Sequence, residues 1–423
     1  MDAIKVINVD DKNRRLYREY MLVVIVTVGG FLVLMGMFIG KYPWTHNSYN
    51  SYTLQALSWL DGRLDLGRDY SHLELAMFNG KYYVSFPPFP SYIMLPFAFL
   101  FGENTPDYLI MYLFDFLSVI YMFKIAQYYK LSPEKSAICV LFGFLSTNVV
   151  FTMLNPYVWF IAQTMCFAFS VMSIYYVLNR KLSLGLLWWA CSVGCRPMQV
   201  VYFVPLIILY VYVNVENENK DILQMVIMNL KKWYEFIPTL LIAISYMLLN
   251  YCRFGNITQF GHDYLPEFTE AEYGQFSSVY IKPNIESLFR WFRFDESGRM
   301  LIDRFNNISM IIVSPIFVFC IFVCVYRLVV GIYNKKINVE RLFLIVNILI
   351  FSAVYMLMVL MHKTMGGWHF GNRYSNDILP YTYLIMIMCT SETQKLIKWE
   401  IPLGVFGMVI NVVGTVIVYN GLS

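Results

Sequence analysis

The chain has 423 residues, 58% of them apolar and only 14% charged, with a formal net charge of +4 at pH 7. So few charges cannot wrap a soluble globule of this length, which leaves a polytopic membrane protein. The apolar runs are continuous and do not alternate, so the spans are expected to be helices and not the strands of a barrel.

Residues 1–19 are polar and carry Lys5, Lys12, Arg14, Arg15 and Arg18 just ahead of the first apolar run, 20–40. The positive-inside rule therefore expects a cytoplasmic N-terminus, and the lack of a small-residue cleavage site expects a retained first helix. The polar block that follows, 41–90, reads KYPWTHNSYNSYTLQALSWLDGRLDLGRDYSHLELAMFNGKYYVSFPPFP. It gathers Asp61, Asp65, Asp69, His72, Glu74 and Lys81 in a chain with few charges elsewhere.

Next comes SYIMLPFAFLFG, 91–102, apolar but too short to cross comfortably. If it crosses, Lys124, Lys130 and Lys135 are stranded outside; if it lies in the interface, they become cytoplasmic. The interfacial placement is taken, because later loops then obey the charge rule as well.

Further spans are expected near 106–129, 134–153, 157–178, 183–196, 198–214, 234–252, 308–333, 342–361, 377–390 and 401–420, about eleven with the first. The cytoplasmic side then holds Arg180, Lys181, Lys220, Lys231, Lys232, Lys335, Lys336, Arg341, Lys395 and Lys398. The fold expected is an all-α polytopic domain over residues 1–423 of a cell membrane, with an external C-terminus. Polar loops at 41–105, 253–307 and 362–376 face outward, the first carrying membrane-lying helices.

Short cytoplasmic loops and long external ones put any working surface away from the cytoplasm, which disfavours ATP and nucleotide sugars as substrates. No Walker-type phosphate loop and no dinucleotide fingerprint is present. Cys139, Cys166, Cys191, Cys195, Cys320, Cys324 and Cys389 lie in or beside apolar runs and are read as packing residues. No metal, other cofactor or nucleic acid is expected.

The segment LDGRLDLGRDYSHLELAMFNGKYYVSFPPFP, followed by a short apolar helix, resembles the first external loop of bacterial GT-C glycosyltransferases that use polyprenyl-phosphate sugars. That group includes the protein O-mannosyltransferases and the lipid A aminoarabinose transferase. TMLNPYVWF is similar to their Leu-Asp-Pro motif, VGCRPMQ stands where they carry Thr-Lys-Gly-Pro, and GGWHFGNRYSNDILPY and RFGNITQFGHDY look like stretches of bacterial members. The chain departs from them in two places: THNSYNSYT has no carboxylate where relatives carry Asp-Glu, and Asn155 replaces the Leu-Asp-Pro aspartate.

The resemblance implies transfer of a sugar from a polyprenyl-phosphate donor to a glycan, lipid or protein acceptor on the outer face, with inversion at C1. One carboxylate must take the acceptor proton and cations must hold the departing phosphate. Glu74 is favoured as base, then Asp65 and Asp69. Lys81, Arg196 and Arg373 are the cations, with Tyr82 and Tyr83 beside the donor. His72, Asn155, His262 and His369 are expected in the acceptor region or pocket.

Simpler roles compete for each residue. Asp61, Asp65 and Asp69 have i,i+4 spacing and fit one solvated helix face, and Lys81 with its tyrosines fits an interfacial anchor. Arg373 and Asp377 fit an internal pair, while Asp115 awaits a cation on a neighbouring helix. Two other functions stand beside transfer: a transporter or flippase for a lipid-linked sugar or anion, and a noncatalytic assembly subunit.

Overall fold

A computed structural model describes residues 2–218, 232–298, 300–301, 308–334, 338–366, 370–391 and 399–420. His369, Trp368, Lys220, Lys231, Lys335, Lys336, Lys395 and Lys398 lie outside the described residues. Among them the chain is mostly helical, and eight helices are long and apolar enough to cross a membrane: Asn13–Ile39, Asp107–Tyr128, Val158–Leu178, Pro197–Asn214, Trp233–Phe254, Ile316–Tyr333, Val339–Met361 and Glu400–Tyr419. The other three expected spans are shorter helices. Residues 134–153 form Pro133–Leu145 (13 residues) and then Val149–Thr152; 183–196 forms Leu182–Val193 (12 residues); 377–390 forms Leu379–Ser391 (13 residues). At about 1.5 Å per residue each reaches roughly 20 Å, short of the ~30 Å hydrocarbon core.

Val158–Leu178 is the central helix. It has no charged residue and is apolar on every side, the pattern of a helix enclosed by others. Asp107–Tyr128, Leu182–Val193, Phe203–Glu218 and Leu379–Ser391 all pack on it. Trp233–Phe254, by contrast, leaves Leu240, Leu241 and Leu248 exposed and packs mainly on Leu182–Val193. Asp115, in the second long helix, is fully buried, and neither of its carboxylate oxygens has a hydrogen-bond partner among the described residues. Among the described residues no cation pairs with it.

The first loop is built differently from a run of solvated helix. Ser51–Leu60 ends at Asp61, and Gly62 and Gly67, both at φ +72°, turn the chain in a left-handed conformation that side chains with a Cβ rarely adopt. Asp61, Asp65 and Asp69 therefore share no helical face. A hairpin follows, β1 (Leu75–Phe78) paired antiparallel with β2 (Lys81–Val84), the register running from Leu75 opposite Val84 to Phe78 opposite Lys81. Its two-residue turn, Asn79-Gly80, has φ of 49° and 73°, the sign a type I′ turn demands. Together with the short pairing of Arg293–Phe294 and Met300–Leu301, it is an addition to the expected all-α fold. Phe89–Phe101, covering the short apolar run, is a 13-residue helix packed on Ser51–Leu60.

Candidate functional site

The residues flanking the hairpin, the N-terminal end of Val158–Leu178, the chain around Arg196, the 260–276 stretch and the C-terminal end of Val339–Met361 line one cavity of about 730 Å³. Glu74, Arg196, Arg373 and His262 all line it, and Trp159 and Tyr374 stand between them.

Glu74 precedes β1, held there by Ser85 Oγ–H donating to its carbonyl at 2.9 Å. Its side chain is exposed and lines the cavity. Trp159 Nε1–H donates to its Oε2 at 3.0 Å. Burial raises the Glu74 carboxyl above its ordinary value; the Trp159 hydrogen bond opposes this, Glu267 adds to it and Arg373 opposes it.

The two arginines are held in unlike ways. Arg196 Nε donates to Asp377 Oδ2 at 2.9 Å, and the aspartate also accepts from Gln163 Nε2 at 2.9 Å and from the Tyr355 hydroxyl. Arg373 Nε donates to Gly366 O at 2.7 Å, while its Nη1 has no partner among the described residues. Arg373 is therefore the guanidinium with hydrogen-bonding capacity to spare. Gly366 sits at φ +110°, and a Cβ there would come within 2.9 Å of Arg373 Nε, so glycine is what permits this contact. Both guanidiniums lie over the Tyr374 ring, at 4.5 and 4.9 Å from its centroid. The Arg373–Asp377 pair expected from spacing does not form.

His262 and His362 form the opposite wall, with ring centroids 6.1 Å apart and Phe86, Phe260, Phe268 and Phe276 around them. Burial, reinforced by neighbouring positive charge, lowers His262 to about 3; burial above all lowers His362 to about 4. Both imidazoles are neutral at physiological pH. The unfolded chain takes up these protons near 6.5, so the stability they contribute is complete above that value and falls as pH drops through it. Thermal unfolding between pH 7 and 5 is expected to lose on the order of 1 kcal/mol per pH unit per histidine. His262→Phe should flatten that slope; equal slopes in parent and variant would rule out its burial as the cause.

The other expected residues lie elsewhere. Asp65 and Lys81 pair with each other at 3.3 Å outside the cavity, and Asp69 is exposed. Tyr82 serves through its backbone carbonyl, which accepts from Leu66 N, and Tyr83 is buried against Phe254. His72 Nε2 lies 3.2 Å from Ser48 O, with its ring edge-on to Tyr49. Asn155 is buried in a separate network, where its Oδ1 accepts from Tyr108 at 3.0 Å and from Asn47. Asp107, which sequence reasoning passed over, anchors that network by accepting from the Asn47 backbone and from Asn50 Nδ2, with His46 Nδ1 at 3.0 Å.

Sequence reasoning also passed over Trp159, Glu267, His362 and Tyr374. Trp159 and Tyr374 lie within the stretches TMLNPYVWF and GGWHFGNRYSNDILPY that the resemblance singled out, whereas Glu267 and His362 are ordinary loop and helix-end residues until the chain folds. No protein family, curated protein or solved structure matched the chain.

Proposed function

We propose that the chain is a multispan glycosyltransferase that moves a sugar from a polyprenyl-phosphate donor to an acceptor on the outer face of the membrane. The observation that carries this is the convergence of Glu74, Arg196 and Arg373, from three distant stretches, on one cavity. Its contents suit a displacement at the sugar C1. The acceptor hydroxyl oxygen forms the new bond to C1 as the bond from C1 to the phosphate oxygen breaks with its electron pair. The hydroxyl proton passes to Glu74, and polyprenyl phosphate leaves as an anion against Arg373 and Arg196. Phosphate departs without a general acid, so one carboxylate suffices, and a single displacement inverts the anomeric centre.

A carboxyl raised by burial is a stronger base when ionised, which suits Glu74 to proton removal. Arg373 has a donor to spare, so it is assigned the main contact to the phosphate; Arg196, tied to Asp377, supplies the second. Purified protein reconstituted with several polyprenyl-phosphate sugars and a panel of glycan, lipid and protein acceptors should bind a donor and transfer its sugar. Neither binding nor transfer across that panel would overturn the assignment.

Transport of a lipid-linked sugar or anion is the second function with an observation behind it. Asp115 is buried within a candidate span and without a hydrogen-bond partner among the described residues, and an intramembrane acid is a natural proton carrier. Flux into sealed vesicles without covalent product would put this function first.

A further inference from the structure

We infer that residues 278–294 form a platform that lies on the surface of the lipid bilayer at the rim of the cavity. The segment contains the helix Ile281–Leu288, which buries Asn284, Ser287 and Leu288 and exposes Lys282, Ile285 and Glu286. The residues turned into the protein include Asn284 and Ser287, both buried. Five large apolar side chains are exposed, Val279 (54%), Ile285 (42%), Phe289 (53%), Trp291 (71%) and Phe294 (61%), interspersed with the exposed Lys282, Glu286 and Arg293. Exposed aromatic and aliphatic side chains mixed with charged ones are the composition of a segment seated at a membrane–water interface.

Depth identifies what covers it. Asn284 Nδ2 donates to Leu360 O and to His362 O, each at 2.9 Å, satisfying carbonyls at the end of Val339–Met361. That helix has 23 residues, so at ~1.5 Å per residue it is about 35 Å long and just spans a ~30 Å hydrocarbon core. Its end therefore lies near the headgroups, and Asn284 holds the platform at that level. Aromatic side chains favour this depth, and the exposed Lys282 and Arg293 place positive charge where lipid phosphates lie.

The platform continues directly into the cavity wall. Ser277 N donates to Met361 O and Lys363 N to Gln275 O, both at 2.8 Å, and Gln275, Phe276 and His362 line the cavity. A substrate carried in the bilayer thus meets the cavity at the level of its own phosphate. The platform needs only that the chain spans a bilayer, so it stands or falls separately from sugar transfer.

Nitroxide depth measurement tests it on the full chain in nanodiscs of phosphatidylcholine and phosphatidylglycerol. In a Cys252→Ser background, which removes the exposed native thiol, Ile285→Cys and Phe289→Cys would be labelled singly, with Glu272→Cys as an exposed reference in the same loop. Labels at 285 and 289 should favour collision with oxygen over a water-soluble nickel chelate by several-fold relative to the label at 272. Val279→Cys provides the same readout should either variant fail to reconstitute. Labels at 279, 285 and 289 that collide with the nickel chelate as freely as the label at 272 would overturn the platform.

Discussion

Replacing Glu74 by glutamine is expected to leave donor binding intact and to lower turnover by about 10²- to 10⁴-fold, the usual range for loss of a general base. Glutamine keeps the size of the side chain and an oxygen for Trp159 Nε1–H, so the cavity wall should survive and only the proton acceptor is lost. Arg373→Ala should behave differently, weakening donor binding along with turnover, because the phosphate contact proposed for it would exist in the ground state as well. Asp65→Asn should matter little, since Asp65 pairs with Lys81 outside the cavity. Normal turnover in Glu74→Gln with a dead Asp65→Asn would move the base to Asp65. If neither change affects a working transfer assay, the first loop is not the catalytic centre.

The same residue sets the sign of the pH response. Glu74 must be ionised to act, and burial raises its carboxyl, so the acid limb of kcat/KM should lie above the ordinary glutamate value of 4.5. The Trp159 hydrogen bond favours the ionised form. Trp159→Phe should therefore move the limb to still higher pH, and a limb that stays in place would remove Glu74 as its source.

The largest effect on stability is expected at Asp377. Its side chain is 1% exposed and the partner Arg196 is 16% exposed, so Asp377→Ala leaves a guanidinium in the protein interior without its counterion. Breaking a buried pair from one side costs about 3–5 kcal/mol, whereas replacing both partners by apolar groups is often nearly neutral. Thermal unfolding in detergent should show a large fall for Asp377→Ala and a partial recovery for Arg196→Leu combined with Asp377→Leu. The double variant should still bind donor poorly, because it lacks one of the two cations of the cavity. An Asp377→Ala protein that unfolds at the parent's temperature would mean that the ion pair does not hold this wall together.

Composition and run length were enough to read a helical membrane chain, and they located six of the eight long apolar helices to within three residues at each end, while the first begins seven residues earlier and the sixth eight residues later than expected. Hydropathy is a local property, and a helix buries its backbone polar groups without help from distant residues, so such elements are legible one at a time. The Asn79-Gly80 turn was legible on the same grounds, since both residues tolerate positive φ, although the hairpin went unread. Glu74 stood out as an acid between Leu73 and Leu75, and Arg196 as a charge between apolar runs.

Partnership was decided only by the tertiary structure. Arg373 and Asp377 are four apart and would stack on an α-helix, but they lie on a 3₁₀-helix, Arg373–Asp377, where three residues make a turn and the two side chains diverge. The aspartate is left to Arg196, 181 residues away, which frees Arg373 for the cavity. Asp65 and Lys81 likewise neutralise each other because the turns at Gly62 and Gly67 bring the loop back beside β2. With so few charges in the chain, the pairing of each one determines which others remain available for chemistry, and that pairing depends on which helices and loops become neighbours.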